Sequence, residues 1–273
     1  MTSPRLSLSH LSALETPPHE LVTLAAEAGY WAVGLRLNPA APGATHYPLR
    51  RGQADFTETR RRMQDTGVSI YDVEFIPLTP DIAIETYLPM LEAAAELGAR
   101  RLNVSGDDQD VSRLATTFAR LCETAETFDL AVDLEFMRWR HVGTLNQAHE
   151  IVRRAGAANG AILLDALHLV RSGGAPADVA ALAPGLVRSV QLSDAPLASP
   201  PEDGIIEEAR NRRLAPGLGE LPLLALLHAL SDDIDLAVEV PLPADKKDNP
   251  LAHLKSVRQA TDALMHKGLT KVT

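Results

Sequence analysis

Residues 24–37 read "LAAEAGYWAVGLRL", a short amphipathic run, then a glycine, then an apolar β-rich segment that ends next to a charged side chain. The same order recurs at 61–75 ("RRMQDTGVSIYDVEF"), at 93–106 ("AAAELGARRLNVSG") and, more loosely, at 152–165 ("VRRAGAANGAILLD"). In each copy a glycine (Gly29, Gly67, Gly98, Gly156) stands where a helix needs a left-handed terminator before the chain turns into a strand. The helical halves carry the matching period, since Leu21, Leu24, Ala25 and Ala28 fall on one face, as do Leu88, Leu91 and Ala95. A helix-then-strand unit with such short joints builds a parallel sheet.

Extended along the chain, this pattern predicts strands near residues 5–10, 31–37, 68–75, 100–105, 130–136, 161–165, 187–193 and 235–240, with helices between them and a last helix at 250–265. Eight units in 273 residues predict an α/β protein made of a single (β/α)8 barrel domain over residues 1–273, because such barrels run to about 250 residues as one unit. An open, doubly wound sheet fits less well. No Gly-rich phosphate loop follows the first strand, where "LSLSHLSALETPPHE" stands at 6–20. Long loops are expected near 38–52 and 194–218, and long loops in compact domains are more often functional than idle.

The formal net charge is −10 and the basic residues are scattered, which argues against a nucleic-acid partner, whose binding needs a clustered basic surface. The single cysteine, Cys122, excludes an intrachain disulfide and a cysteine-based metal site, and its setting "FARLCETAE" reads as the buried side of a helix. The first ten residues have no apolar signal core, and no run approaches the roughly 18 apolar residues that span a membrane. The expectation is a cytoplasmic protein with no membrane partner.

The late strands end unusually. "LAVDLEF" finishes near Glu135, "AILLDALH" holds Asp165, "VRSVQLSD" holds Gln191 and Asp194, and "LAVEVPLP" holds Glu239. A carboxylate left unpaired in a dry interior costs several kcal/mol, so something must meet these groups. A parallel barrel gathers them at its C-terminal mouth, where such folds hold their chemistry. Three converging carboxylates with no nearby lysine repel one another, and a divalent cation is the simplest remedy. Oxygen ligands suit Mg²⁺ or Mn²⁺, although Co²⁺ or Zn²⁺ could also occupy the site. The bland alternative is that each acid caps a helix or pairs with Arg138, Arg171 or Arg188. Elsewhere, Arg36 closes strand two and could bind an anionic substrate group. The acids of "SGDDQD" (105–110) suit the first turn of the helix that begins there.

On Glu135, Asp165, Gln191, Glu239 and the element "RLAPGLGELPL" at 213–223, the chain resembles the xylose isomerase-like TIM barrel superfamily. That group includes sugar and sugar-phosphate isomerases and epimerases, hydroxypyruvate isomerase, inosose and 3-dehydroshikimate dehydratases and endonuclease IV. The resemblance implies that those four residues hold one divalent metal, that Glu135 and Glu239 also move protons, and that His168 touches substrate. It implies, too, a dimer or tetramer.

The implied chemistry is a metal-dependent sugar isomerase or epimerase that removes a proton next to a carbonyl and passes through an enediolate. A dehydratase of a keto-polyol or keto-acid is the alternative. It gains weight because the epimerases carry histidine on strand seven, with an arginine soon after, whereas this chain has Gln191, as the two dehydratases do. Arg210, Arg212 and Arg213 in "IIEEARNRRLAPG" could supply the missing cation, and Arg213, next to the Pro-Gly element, could contact substrate; a solvated helix face is the alternative, above all for Arg210. Arg138 and Trp139 could wall the pocket. A small sugar, polyol or keto-acid is the expected partner. A non-catalytic binding barrel is a weaker reading, and an abasic-site nuclease is weaker still, because the zinc-binding histidines and basic surface are missing.

Overall fold

The structure, a computed structural model, describes residues 5–231, 234–243 and 248–269. Eight parallel strands close into a barrel: β1 (Leu6–Leu8), β2 (Ala32–Arg36), β3 (Ser69–Leu78), β4 (Arg101–Gly106), β5 (Ala131–Glu135), β6 (Gly160–Asp165), β7 (Val187–Leu192) and β8 (Asp235–Val238), with β8 pairing back onto β1. Helices α1 (Pro18–Ala28), α2 (Ala54–Thr66), α3 (Leu88–Glu96), α4 (Val111–Glu126) and α5 (Leu145–Ala155) follow the first five strands. β6 is followed by α6 (Ala166–Arg171) and α7 (Pro176–Ala180), β7 by α8 (Ile205–Asn211) and α9 (Leu223–Ala229), and β8 by α10 (Pro250–Leu269). All eight strands lie where the sequence pattern puts them. The glycines at 29, 67, 98 and 156 have positive φ, as the predicted helix ends require. The loop expected at 194–218 is partly helical, because α8 forms inside it.

Strand alternation sorts the residues into two populations. One face of each strand packs against the helices with fully buried aliphatics such as Leu35, Val73, Leu134, Leu164 and Leu192. Each such side chain stabilises the fold by roughly 1.5–3 kcal/mol. The other face fills the barrel interior, and here it is polar. Asp133 on β5 accepts from Arg101 Nε and Nη2 and, from β7 two strands away, from the Ser189 hydroxyl at 2.6 Å. Asp72 on β3 accepts from Asn103 Nδ2 at 3.2 Å, and burial together with nearby Glu74, Asp133 and Glu239 holds its carboxyl well above the usual range.

The predicted acidic turn before α4 is structural. Asp110 caps the helix by accepting from the Ser112 and Arg113 amides, and Asp108 forks onto Arg113. Cys122 is buried, and burial pushes its thiol up to about 12. No helix among the described residues is long and apolar enough to cross a membrane.

The Pro-Gly-x-Gly element has a specific physical basis. Asp194 accepts from the amides of Gly217, Ala195 and Leu221, at 2.9–3.0 Å, so its carboxylate is the hub of the turn rather than part of the site. Gly217 has a φ of 85°. A β-carbon on Gly219 would stand 2.5 Å from the Ala195 carbonyl oxygen and 2.7 Å from its nitrogen. Backbone cannot yield as a flexible side chain would. Gly219→Ala is therefore expected to destabilise the protein by about 3 kcal/mol or more, read as a fall in unfolding midpoint; an unchanged midpoint would contradict this packing.

Candidate active site

The upper interior layer, one step toward the C-terminal mouth, carries the candidate site. Glu135 and Asp165 are the last residues of β5 and β6, Gln191 lies in register with Asp165 on β7, and Glu239 directly follows β8. All four are buried. Asp165 accepts from the His168 amide at 2.9 Å, so it caps α6 and presents its other oxygen to the Arg213 guanidinium. The second Arg213 nitrogen lies 3.0 Å from Glu239 Oε2, and Arg213 Nε donates to the Ala209 carbonyl at 2.6 Å. Glu239 Oε1 accepts from the Ser9 hydroxyl at 2.5 Å and from Gln191 Nε2 at 3.2 Å. On the other side of the mouth, Arg36 and Glu74 are register partners on β2 and β3 and form a buried ion pair at 3.0 Å.

The electrostatics follow from burial and neighbours. Glu135 meets no arginine; His168 Nε2 lies 3.6 Å from its Oε1. Burial, then the charges of Glu239, Asp165 and Glu74, hold the Glu135 carboxyl well above its ordinary value. Burial also lifts Glu239, against the pull of Arg213, to about 7. Burial acts on Asp165 in the same direction, but Arg213, His168 and the hydrogen bonds from both outweigh it and keep this carboxyl low. Burial lowers His168 to about 4, so its imidazole is neutral at ordinary pH, with Trp139 edge-on to its ring at 5.0 Å.

Two observations fit a divalent cation to this layer. Gln191 Oε1 is a buried acceptor without a partner, because the amide hydrogens face Glu239. Glu74, Asp165 and Glu239 pair with Arg36 or Arg213, and Glu135 pairs with neither; with all four acids ionised the surplus is two negative charges, which one divalent cation would balance. One ligand atom each from Glu135, Asp165 and His168 lies within 4.8 Å of the others, so a neutral imidazole stands beside the acids. The chemistry of these donors is oxygen-rich with one nitrogen, as Mg²⁺, Mn²⁺, Co²⁺ or Zn²⁺ accept.

A cavity of about 250 Å³ opens above this layer, with Arg36, Glu74, Glu135, His168, Arg213 and Glu239 in its lining. Leu11, Leu14, Met137 and Trp139 make its apolar walls. Of the sequence-predicted residues, Arg138 is not brought to this cavity. It donates to the Arg171 carbonyl and pairs with Glu202 at the surface, and Arg140, two residues on, lines the cavity instead. Arg171 pairs with Glu208, and Arg188 donates to the Gly185 carbonyl, so neither reaches the strand-end acids. Ser9, Glu74 and Arg140 escaped the sequence reading. A signal for Glu74 was present, because "DVEF" at 72–75 repeats the pattern of "DLEF" at 133–136.

Comparison with known proteins agrees with the barrel fold. The family described as xylose isomerase-like TIM barrel matches residues 22–260. A 3-dehydroshikimate dehydratase of Pseudomonas aeruginosa is 33% identical over 140 residues, half of this chain; the match spans 22% of the relative's own length. The solved IOLI protein, with zinc bound, superimposes with a TM-score of 0.75 at 17% identity, covering 99% of both chains. An L-ribulose 3-epimerase gives 0.70 at 16% identity, covering 98% of this chain and 95% of its own.

Proposed function

The chain belongs to the xylose isomerase-like TIM barrel family, and from that membership we propose that it is a divalent-metal-dependent dehydratase of a small hydroxylated keto acid. The observation that carries the reading is the pair Glu135 and Glu239, two buried carboxyls at the ends of β5 and β8 that line one cavity. Two carboxyls facing one bound substrate can between them take a proton from carbon and give one to a departing oxygen. Glu239 then takes the proton next to the substrate carbonyl, while Glu135 gives its proton to the departing β-hydroxyl. One C–H and one C–O bond break, a C=C bond forms, and water leaves. Glu135, Asp165, Gln191 and Glu239 would hold the metal, with His168 beside them. Once bound, the cation would supply stabilisation of the negative charge that develops on the carbonyl oxygen.

His168, neutral and pressed by Trp139, is positioned to hydrogen-bond a substrate oxygen. Arg213 pairs with both Asp165 and Glu239, so one buried guanidinium fixes the orientation of two of these acids. A sugar isomerase or epimerase would share the first proton transfer. Gln191 on β7 and the Pseudomonas aeruginosa relative, named as a 3-dehydroshikimate dehydratase, favour elimination.

The test is incubation of the Mn²⁺-, Mg²⁺- or Co²⁺-supplemented protein with 3-dehydroshikimate, followed by ultraviolet absorbance. Loss of water from that compound yields an aromatic dihydroxybenzoate, so absorbance is expected to rise. An unchanged spectrum, together with interconversion of ketoses in a parallel panel, would replace the dehydratase with an epimerase.

A further inference from the structure

Four arginines line the cavity, and three of them are committed. Arg36 is paired with Glu74, Arg140 with Asp107 at 2.9 Å and the Ala40 carbonyl at 3.0 Å, and Arg213 with Asp165 and Glu239. Arg210, on the last turn of α8, is exposed, and its side chain makes no hydrogen bond or ion pair among the described residues. Acids of its own helix are engaged elsewhere. Glu207 accepts from Asn211 Nδ2 at 2.7 Å and meets Arg212, while Glu208 forks onto the buried Arg171.

The helix that carries Arg210 is also fixed in place. Arg171 ties Glu208 to α6 and donates to the Pro196 and Leu197 carbonyls, so one buried guanidinium clasps the incoming loop and α8 together over the mouth. Arg210 is thus a free charge on an anchored element, facing a cavity whose deep end is rich in carboxylates. A substrate anion cannot bind against that end unless a cation meets it elsewhere.

We propose that Arg210 is the anion handle of the site and that the ligand it receives is a monocarboxylate. This rests on the keto-acid reading above and names the residue that recognises the acid. A single guanidinium fork matches the two oxygens of one carboxylate. A phosphate would call on further uncommitted donors, and no other lining arginine is uncommitted. With the carboxylate held on Arg210 near solvent, the hydroxylated end of the molecule is left for Glu135, His168 and Glu239.

The experiment is calorimetric binding of 3,4-dihydroxybenzoate and of its neutral amide to the wild-type protein and to Arg210→Gln, with and without Mn²⁺. Both probes carry the same two hydroxyls, so a metal contact made through them cancels in the ratio, and the titration without Mn²⁺ removes any contact made through the carboxylate. The wild type is expected to bind the acid at least tenfold more tightly than the amide, and Arg210→Gln to bring that ratio close to one by weakening the acid alone. Arg210→Lys, which keeps the charge but not the fork, is expected to fall between. A wild-type ratio near one, or a ratio unchanged in Arg210→Gln, overturns the assignment. Since binding is read without turnover, an anion handle that holds on a protein inert toward 3-dehydroshikimate would separate failure of the reaction from failure of the site. Inorganic phosphate or a sugar phosphate that displaces the acid in an Arg210-dependent way, at lower concentration than benzoate does, would overturn the choice of carboxylate.

Discussion

Replacing Arg213 with methionine is expected to destabilise the metal-free protein by about 3–5 kcal/mol, the usual result of removing one partner from a buried ion pair. Methionine fills a similar length, so little of the loss comes from packing. The loss arises because Asp165 and Glu239, at 0% and 4% exposure, would face each other with no cation between them. Protonation can relieve that repulsion. The deficit should therefore be largest above pH 7 and shrink as the pH falls and both carboxyls take up protons. Denaturant unfolding in chelator at pH 5.5 and 8 would measure it, and a deficit below about 1 kcal/mol at pH 8 would contradict the bridging role. Adding Mn²⁺ should restore part of the loss, because a cation bound among the same carboxylates replaces the missing charge.

Glu239→Gln is expected to lower turnover by three to four orders of magnitude, about the upper range for loss of a general base, while the fold persists. The glutamine can still accept from Ser9 and Gln191, and Arg213 keeps Asp165 as a partner. The variant also has a readout that does not depend on turnover. In the wild type the Glu239 carboxyl is raised from its ordinary 4.5 to about 7. Between those values the folded state holds a proton that the unfolded chain has released, so metal-free stability falls as pH rises through this window. Glutamine does not titrate, and this part of the pH dependence should disappear. Turnover within tenfold of wild type would remove Glu239 from the chemistry.

Much of the site was legible in the chain because a parallel barrel turns position along a strand into position in space. Once the glycine-terminated helices and short apolar runs had set the strands, Glu135, Asp165, Gln191 and Glu239 necessarily reached one mouth. Glu74 was legible by the same logic, through the Asp-x-Glu-Phe pattern that β3 shares with β5. Arg36 could be placed at its strand end, although its pairing with Glu74 depends on the register between β2 and β3. The arginines of the loops were not legible. Sequence distance suggested Arg138, just past Glu135, but the chain turns it toward Glu202 and brings Arg140 to the cavity. The sequence allows Arg210 either role, solvated helix face or site cation, and the short helix that bears it lies against the mouth.

By itself, then, the sequence determined the architecture and the four polar strand ends, since both rest on periodicities of two and 3.6 that any observer of the chain can count. Only the tertiary structure decided how the charges pair. Arg213 reaches Asp165 across 48 residues of chain, and Arg171 clasps Glu208 across 37. Those partners are chosen by loop backbones that obey no period, and by the need to leave no buried charge without a partner.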